Sequence, residues 1–393
     1  MNESPIPYGR HDVSRADIDA VVEVLRSDWL TQGPVVPAFE RAVAERCGAR
    51  HAVAVNSATS ALHLACLALD VGPGDTVWTS PNTFVATANC ARYCGAAVDF
   101  VDIDPRTWCM SADALRQKLV QATASRASLP KVVIPVHFAG QSCDMAAIAK
   151  LATEYGFRII EDASHAIGGS YESRPVGGCH YSEIAVFSFH PVKIMTTGEG
   201  GMALTNSAAI AERIERLRAH GITRDPTKMT RTSDGPWYYE QIELGFNYRL
   251  TDIQAALGLS QLSRLNASVE RRNELAKRYE DRFAQLPIQR QDVPAAVSSA
   301  RHLYVIRVPA SLHRDLFEHL RAEGVGVNLH YIPVHLQPDY RQRGFREGQY
   351  PQAEQYYREA MSLPMYSALT DDQHRRVVEM VAQAIEKQVR TVR

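Results

Sequence analysis

Lys193 stands in the stretch FSFHPVKIMTTGEGG, between an apolar run at 184–189 and the turn Thr196-Thr197-Gly198-Glu199-Gly200-Gly201. A lysine held out of water in such a setting gives up part of its preference for the charged form, and the free amine is then a nucleophile toward an aldehyde. The glycines allow a sharp turn and close approach of backbone to a flat ligand. Ser188, shortly before the lysine, offers a hydroxyl of the kind that donates to phosphate.

Three other stretches carry complementary chemistry. Ser57-Ala58-Thr59 follows the apolar run HAVAV and opens a helical pattern. Free amides and the positive end of a helix dipole make such a turn an anion site, although Ser57 serves equally as a plain N-cap. Asp162 closes the run RIIED, where a carboxylate needs a cationic partner, and a protonated ring nitrogen satisfies it. An ordinary turn aspartate is the simpler reading of that residue alone. His165 follows within reach of the same ligand, and Phe84 in PNTFVAT can stack on a flat ring or fill core. A phosphate cradle, a carboxylate for a ring nitrogen, a stacking face and an aldehyde-reactive lysine together describe one cofactor, pyridoxal 5'-phosphate.

The elements that must position these residues alternate. Strand-like HAVAV, TVWTS, AVDFVDI, KVVIPVHF and RIIED are separated by helical patterns beginning near Ser57, Phe84, Ser111 and Asp144, and apolar runs at 183–189 and 202–205 follow. Strict alternation demands crossover connections, hence an α/β fold with a mainly parallel central sheet and helices on both faces. Open sheets of this kind hold ligands at the carboxyl ends of their strands, where the residues above fall. Before the sheet come two helices, from about Ser14 to Ser27, with Ile18, Val21, Val22 and Leu25 on one apolar face, and from Val36 to Cys47. Residues 225–236 read as a surface loop. Beyond residue 246 the pattern changes to long helices and then to a smaller α+β unit. It holds strand LYVIRVP, a helix over 312–322, strand GVNLHYI, and closing helices over 352–361 and 371–388. A large domain over 1–260 and a small C-terminal domain over 261–393 are expected.

Composition narrows the function classes. With 43 Lys+Arg against 44 Asp+Glu there is no basic excess of the kind that binds nucleic acid. Seven cysteines without a CxxC pair argue for reduced thiols; Cys90 and Cys94 share a helix face, a spacing that could hold a metal with other ligands but fits two small buried residues better. The polar N-terminus and the absence of a long uncharged apolar run predict no membrane segment and a cytoplasmic address.

The stretches LTQGP, NSATSAL, PNTFVATAN, VDID, PVHFAGQ, EDASHA, FSFHPVK, TTGEGG, GFNYRLTDIQAALGLSQL, HLY and HYIP cover nearly the whole chain. In them the sequence resembles the DegT/DnrJ/EryC1/StrS-type sugar aminotransferases, fold type I enzymes acting on nucleotide-linked 4-keto sugars. NSATSAL, SFHPVK and ALGLSQL lean toward the branch of pseudaminic acid synthesis. The resemblance implies that Lys193 condenses with the cofactor and shuttles a proton, and that Asp162 keeps the pyridine nitrogen protonated. It implies further that Ala58, Thr59 and Ser188 hold the phosphate, that His165 meets the phenolic oxygen, and that Phe84 covers a ring face. Asn247 matches an asparagine reaching the phosphate from a neighbouring subunit, which implies a homodimer with shared sites. Tyr8, the loop Asp28, Trp29, Leu30 and Thr31, and the segment Val325, Gly326, Val327, Asn328, His330 and Tyr331 match positions facing a UDP-linked keto sugar, with L-glutamate as amino donor. A legionaminic acid precursor or a dTDP sugar is the nearer alternative acceptor. A dehydratase or regulator on the same scaffold is the more distant one, and Lys193 speaks against a dehydratase, which usually carries histidine there.

Overall fold

The computed structural model describes residues 4–392. Its central sheet holds seven strands: β1 (His51–Val55), β2 (Thr76–Thr79), β3 (Ala97–Phe100), β4 (Val132–Ile134), β5 (Arg158–Asp162), β6 (Ile184–Ser188) and β7 (Gly201–Thr205). They lie in the order β1-β7-β6-β5-β4-β2-β3. Strands β3, β2, β4, β5 and β6 are mutually parallel, and β7 runs antiparallel to both β6 and β1. Every residue of β6 and β7 is buried, as expected where both sheet faces are covered.

The first helices are α1 (Arg15–Arg26), α2 (Val35–Cys47), α3 (Ala58–Ala68), α4 (Val85–Tyr93), α5 (Ala112–Ser125), α6 (Met145–Tyr155) and α7 (Ala208–Arg218). Side chains alternate along the strands between two cores. Val53, Val55, Ile184, Val186 and Ala203 meet α3, α4 and α7 on one face. Ala52, Ala54, Ala185, Phe187, Met202 and Leu204 meet α2 on the other. Helix ends follow local chemistry: Ser57, Ser111, Asp144 and Ser207 cap with their side-chain oxygens, and α2 and α6 stop at left-handed Gly48 and Gly156.

The remaining helices are α8 (Asp252–Ser263), α9 (Leu265–Arg282), α10 (Ala310–Ala322), α11 (Pro338–Arg341), α12 (Pro351–Glu359) and α13 (Asp371–Val392). They accompany a smaller antiparallel sheet of β8 (Gln289–Arg290), β9 (Tyr304–Arg307) and β10 (Ala360–Leu363), in the order β8-β9-β10. Residue 260 falls within α8, which packs on α1 and α2, while α9 passes on into the core of the smaller sheet. Ile6 is buried in that same core and bridges to Val325, so the start of the chain is built into the C-terminal unit.

Three local expectations change. GVNLHYI forms no strand, only an isolated bridge at Asn328, because its amides are taken by Ile6, Ser362 and Asn82 from three directions. Residues 360 and 361, read as a helix end, belong to strand β10, which pairs with β9. On α1 the buried residues are Asp17 and Val24, whereas Ile18 and Leu25 are 47% and 55% exposed. Asp17 closes the capping box with Ser14 and also accepts from Ser260 Oγ at 2.6 Å, Gln261 Nε2 at 2.8 Å and Arg264 Nη2 at 2.6 Å. A carboxylate with that many donors on α8 and at its C-terminal end turns its side of the helix inward.

Candidate active site

The carboxyl ends of β1, β5 and β6 border a cleft of about 420 Å³. One end is the N-terminus of α3. Ser57 spends its hydroxyl as the cap, accepting from the Ser60 amide at 3.1 Å, which leaves the amides of Ala58 and Thr59 without intrahelical acceptors. Opposite them lies Ser188 at the end of β6, paired in register with Gly201. A Cβ on Gly201 would collide with the backbone of Ser57 and Ala58. Glycine at this position therefore lets β7 pass directly beneath the helix terminus. Amides, hydroxyls and the helix dipole at this end of the cleft are groups of the kind that attract an anion.

Asp162, at the end of β5, is 5% exposed. Its Oδ2 accepts from Thr87 Oγ1 at 2.6 Å and its Oδ1 from the Ser164 amide at 3.1 Å. Thr87 is in turn linked to Thr83, one helical turn earlier, at 2.8 Å. This fixes the carboxylate in a dry site, where a cationic ring N–H is its natural partner. Phe84, at the N-cap of α4, is 58% exposed on the cleft wall, 6.1 Å between centroids from the Tyr331 ring.

His165 Nδ1 accepts from the Ala139 amide at 3.3 Å, so the proton of the neutral ring sits on Nε2, 3.0 Å from the Tyr331 hydroxyl. Burial, with Lys193 and His330 adding, drives the His165 pKa well below the ordinary imidazole value. Removal from water lowers Lys193 to about 8, against the opposing pull of Asp162. The amine is thus close to its neutral, nucleophilic form near physiological pH.

Of the residues singled out from sequence, Tyr8, Ser57, Ala58, Thr59, Phe84, Asp162, His165, Ser188, Lys193, Asn328, His330 and Tyr331 line this one cleft. Asp28 to Thr31 are exposed outside it, tied to the start of α8 through the Thr31–Thr251 bridge. Val325 and Val327 lie in the core of the smaller unit, and the Gly326 amide bonds to Ile6. Asn247 is exposed and is not among the residues that line this cleft. Sequence reading passed over Thr87, His190 and His302, which also line the cleft. Thr87 had a signal, since Thr83 and Thr87 share a helix face in PNTFVAT. His302 sits in HLY, its ring tilted at 54° to that of His165 with centroids 4.4 Å apart, and burial lowers its pKa well below the imidazole norm. Among the described residues there is no cluster able to hold a metal ion and no helix long and apolar enough to cross a membrane.

Comparison with known proteins bears on this geometry. The sequence model of the DegT/DnrJ/EryC1/StrS aminotransferase family matches residues 11–382. The spore coat polysaccharide biosynthesis protein SpsC of Bacillus subtilis is 41% identical over 383 residues, 96% of each chain. Among solved structures, Helicobacter pylori PseC, an aminotransferase of pseudaminic acid biosynthesis, superposes with a TM-score of 0.89 at 30% identity, covering 98% of this chain and 100% of PseC. Spr1654 of Streptococcus pneumoniae in its PMP form gives 0.88 at 31% identity, covering 97% and 99%.

Proposed function

This chain belongs to the DegT/DnrJ/EryC1/StrS aminotransferase family, whose members are pyridoxal-phosphate-dependent, and from that premise we propose a specific reaction for it. It moves an amino group from L-glutamate to C4 of a UDP-linked 4-keto-6-deoxy-N-acetylhexosamine, giving UDP-4-amino-4,6-dideoxy-N-acetyl-β-L-altrosamine. The observation that carries the chemistry is the placement of Lys193, with its lowered pKa, in the same cleft as the buried Asp162 and the free amides of α3.

The cofactor fits this cleft by its donor set and by the close approach that Gly201 permits. When bound, it supplies an aldehyde for the amine and a ring that withdraws electrons from the reacting carbon. Ala58, Thr59 and Ser188 hold its phosphate in this reading, and Ser57 shapes the turn. Asp162, locked by Thr87 and the Ser164 amide, keeps the ring nitrogen protonated. Phe84 covers one face, and the neutral His165 donates from Nε2 toward the phenolic oxygen. Lys193, able to gain or lose a proton near pH 8, takes the proton from the donor carbon and returns one to C4 of the acceptor. Donor and acceptor use the cleft in turn. Tyr8, Asn328, His330 and Tyr331 face the sugar, and the exposed 28–31 loop meets the nucleotide.

The exposed Asn247 supports a homodimer in which it completes the partner's phosphate site. Mixing Lys193→Ala with Asn247→Ala protein tests this: a heterodimer then holds one intact site, and activity should exceed that of either parent. Exchange verified by mass without recovery of activity refutes the shared site.

The acceptor is tested with a panel of UDP- and dTDP-linked 4-keto sugars, glutamate as donor, and product NMR. Turnover of a dTDP sugar in preference to the UDP-linked hexosamine overturns the assignment. A different sugar of polysaccharide synthesis is the second reading, supported by the 41% identity to the spore coat polysaccharide biosynthesis protein.

A further inference from the structure

Lys193 belongs to the walls of two cavities. Besides the cleft it borders a separate one of about 10 Å³, enclosed by residues 10–12, α8, α9 and Ser367. That space accommodates one particle of roughly the size of water or a small ion. Its wall carries the guanidinium residues Arg10, Arg264 and Arg272, and the hydroxyl residues Ser268 and Ser367 are set among them.

Arg272 decides what the cavity wants. It is 2% exposed, and its Nη1 donates to the carbonyls of Arg301 at 3.3 Å, His302 at 3.2 Å and Met365 at 3.0 Å. Its Nε has no partner, and no carboxylate of the described residues forms an ion pair with it. Carbonyl dipoles offset only part of a full buried charge, and burial accordingly lowers this guanidinium to about 10. Arg264 also leaves Nε buried without a partner, while its Nη groups are engaged by Asp12 at 3.3 Å and Asp17 at 2.6 Å. Asp12 is the carboxylate on the cavity wall, and Arg264 already answers it. Two guanidinium groups, each with a buried and unpartnered Nε, therefore belong to the wall of one small space. A water molecule accepts hydrogen bonds there but brings no charge.

We propose that this cavity is a binding site for a small monovalent inorganic anion of chloride's size, which neutralises Arg272 and braces α9 against the 10–12 and 365–367 segments. Because Arg272 also holds the carbonyls of Arg301 and His302, the anion steadies the cleft wall that carries His302.

The test uses the holoenzyme. Thermal unfolding is followed in chloride or bromide against gluconate at one ionic strength, and crystals grown in bromide are measured at the bromine edge. Halides should raise the midpoint saturably by about 1–2 °C where gluconate does not, and an anomalous peak should appear between Arg272 and Ser268. Ser268→Leu, which fills the space without touching Arg272's carbonyl bonds, should abolish both signals, as should Arg272→Met if it folds. The proposal is overturned by a halide effect that persists in Ser268→Leu. It is overturned equally by bromide crystals that show water in the cavity together with unfolding midpoints that do not distinguish halide from gluconate.

Discussion

Gly201→Ala tests how the phosphate cradle is built. A Cβ at this position would lie 2.5 Å from Ser57 O and closer still to Ser57 C and Ala58 N. The obstructing atoms are backbone, so no side chain can rotate away, and either the start of β7 or the first turn of α3 must shift. Overpacking of this kind costs about 1–3 kcal/mol, and the rigid surroundings favour about 3. An unfolding entropy near 2.1 cal/mol/K per residue then lowers the melting midpoint by about 4 °C. The larger effect falls on the cofactor, because the displaced atoms belong to the amides proposed to receive its phosphate. Weakening such charge-assisted hydrogen bonds by about 2 kcal/mol raises the dissociation constant roughly 30-fold. Titration of apoprotein with pyridoxal phosphate, followed by absorbance, reads this directly. Gly72→Ala, where a Cβ meets nothing within 4 Å, is the control. Cofactor affinity within twofold of wild type, at an unchanged melting midpoint, would show that the close approach of β7 to α3 is not what shapes the site.

Lys193→Ala should fold and still bind cofactor through its phosphate while losing turnover; steady-state transamination near the wild-type rate would remove Lys193 from catalysis. Asp162→Asn should keep the cofactor but lose about 3–4 kcal/mol of transition-state stabilisation, a fall in kcat of roughly a hundredfold or more, and equal rates would exclude Asp162. In apoprotein, labelling of Lys193 by an amine-directed acylating reagent, read by peptide mass, should rise with a midpoint near pH 8, because the neutral amine reacts and burial lowers this lysine to about 8; a midpoint near 10 contradicts the buried setting. His165, His302 and His330 all have pKa values lowered in the fold, first by burial, His330 to about 3. The unfolded chain therefore binds the extra protons, and stability that is present above about pH 6.5 is lost below it, by up to about 1.4 kcal/mol per unit for each ring. Urea midpoints between pH 7 and 5 measure this. A flat profile would mean that the rings are protonated in the folded state.

Much of this protein is written locally. Alternating strand and helix patterns announce a parallel sheet, because crossover connections leave no other arrangement. The chemistry-bearing residues fall at strand ends and helix starts, where Ser57 caps α3 and Asp162 ends β5. What only the tertiary structure decided is non-local. β7 runs antiparallel between β1 and β6, an orientation that a buried apolar strand does not encode. GVNLHYI reads as a strand by composition, yet partners from three parts of the chain claim its amides. The helical pattern before residue 361 yields to pairing with β9. α1 presents Asp17 inward because donors on α8, some 240 positions away, stabilise the buried carboxylate more than a leucine there would gain. The spacing of Thr83 and Thr87 marks a shared face, but the partner of Thr87 is decided only when folding sets it 2.6 Å from Asp162. Periodicity records which face of an element is apolar; which partner arrives at that face depends on contacts between residues far apart in the chain, and short-range patterns carry no trace of them.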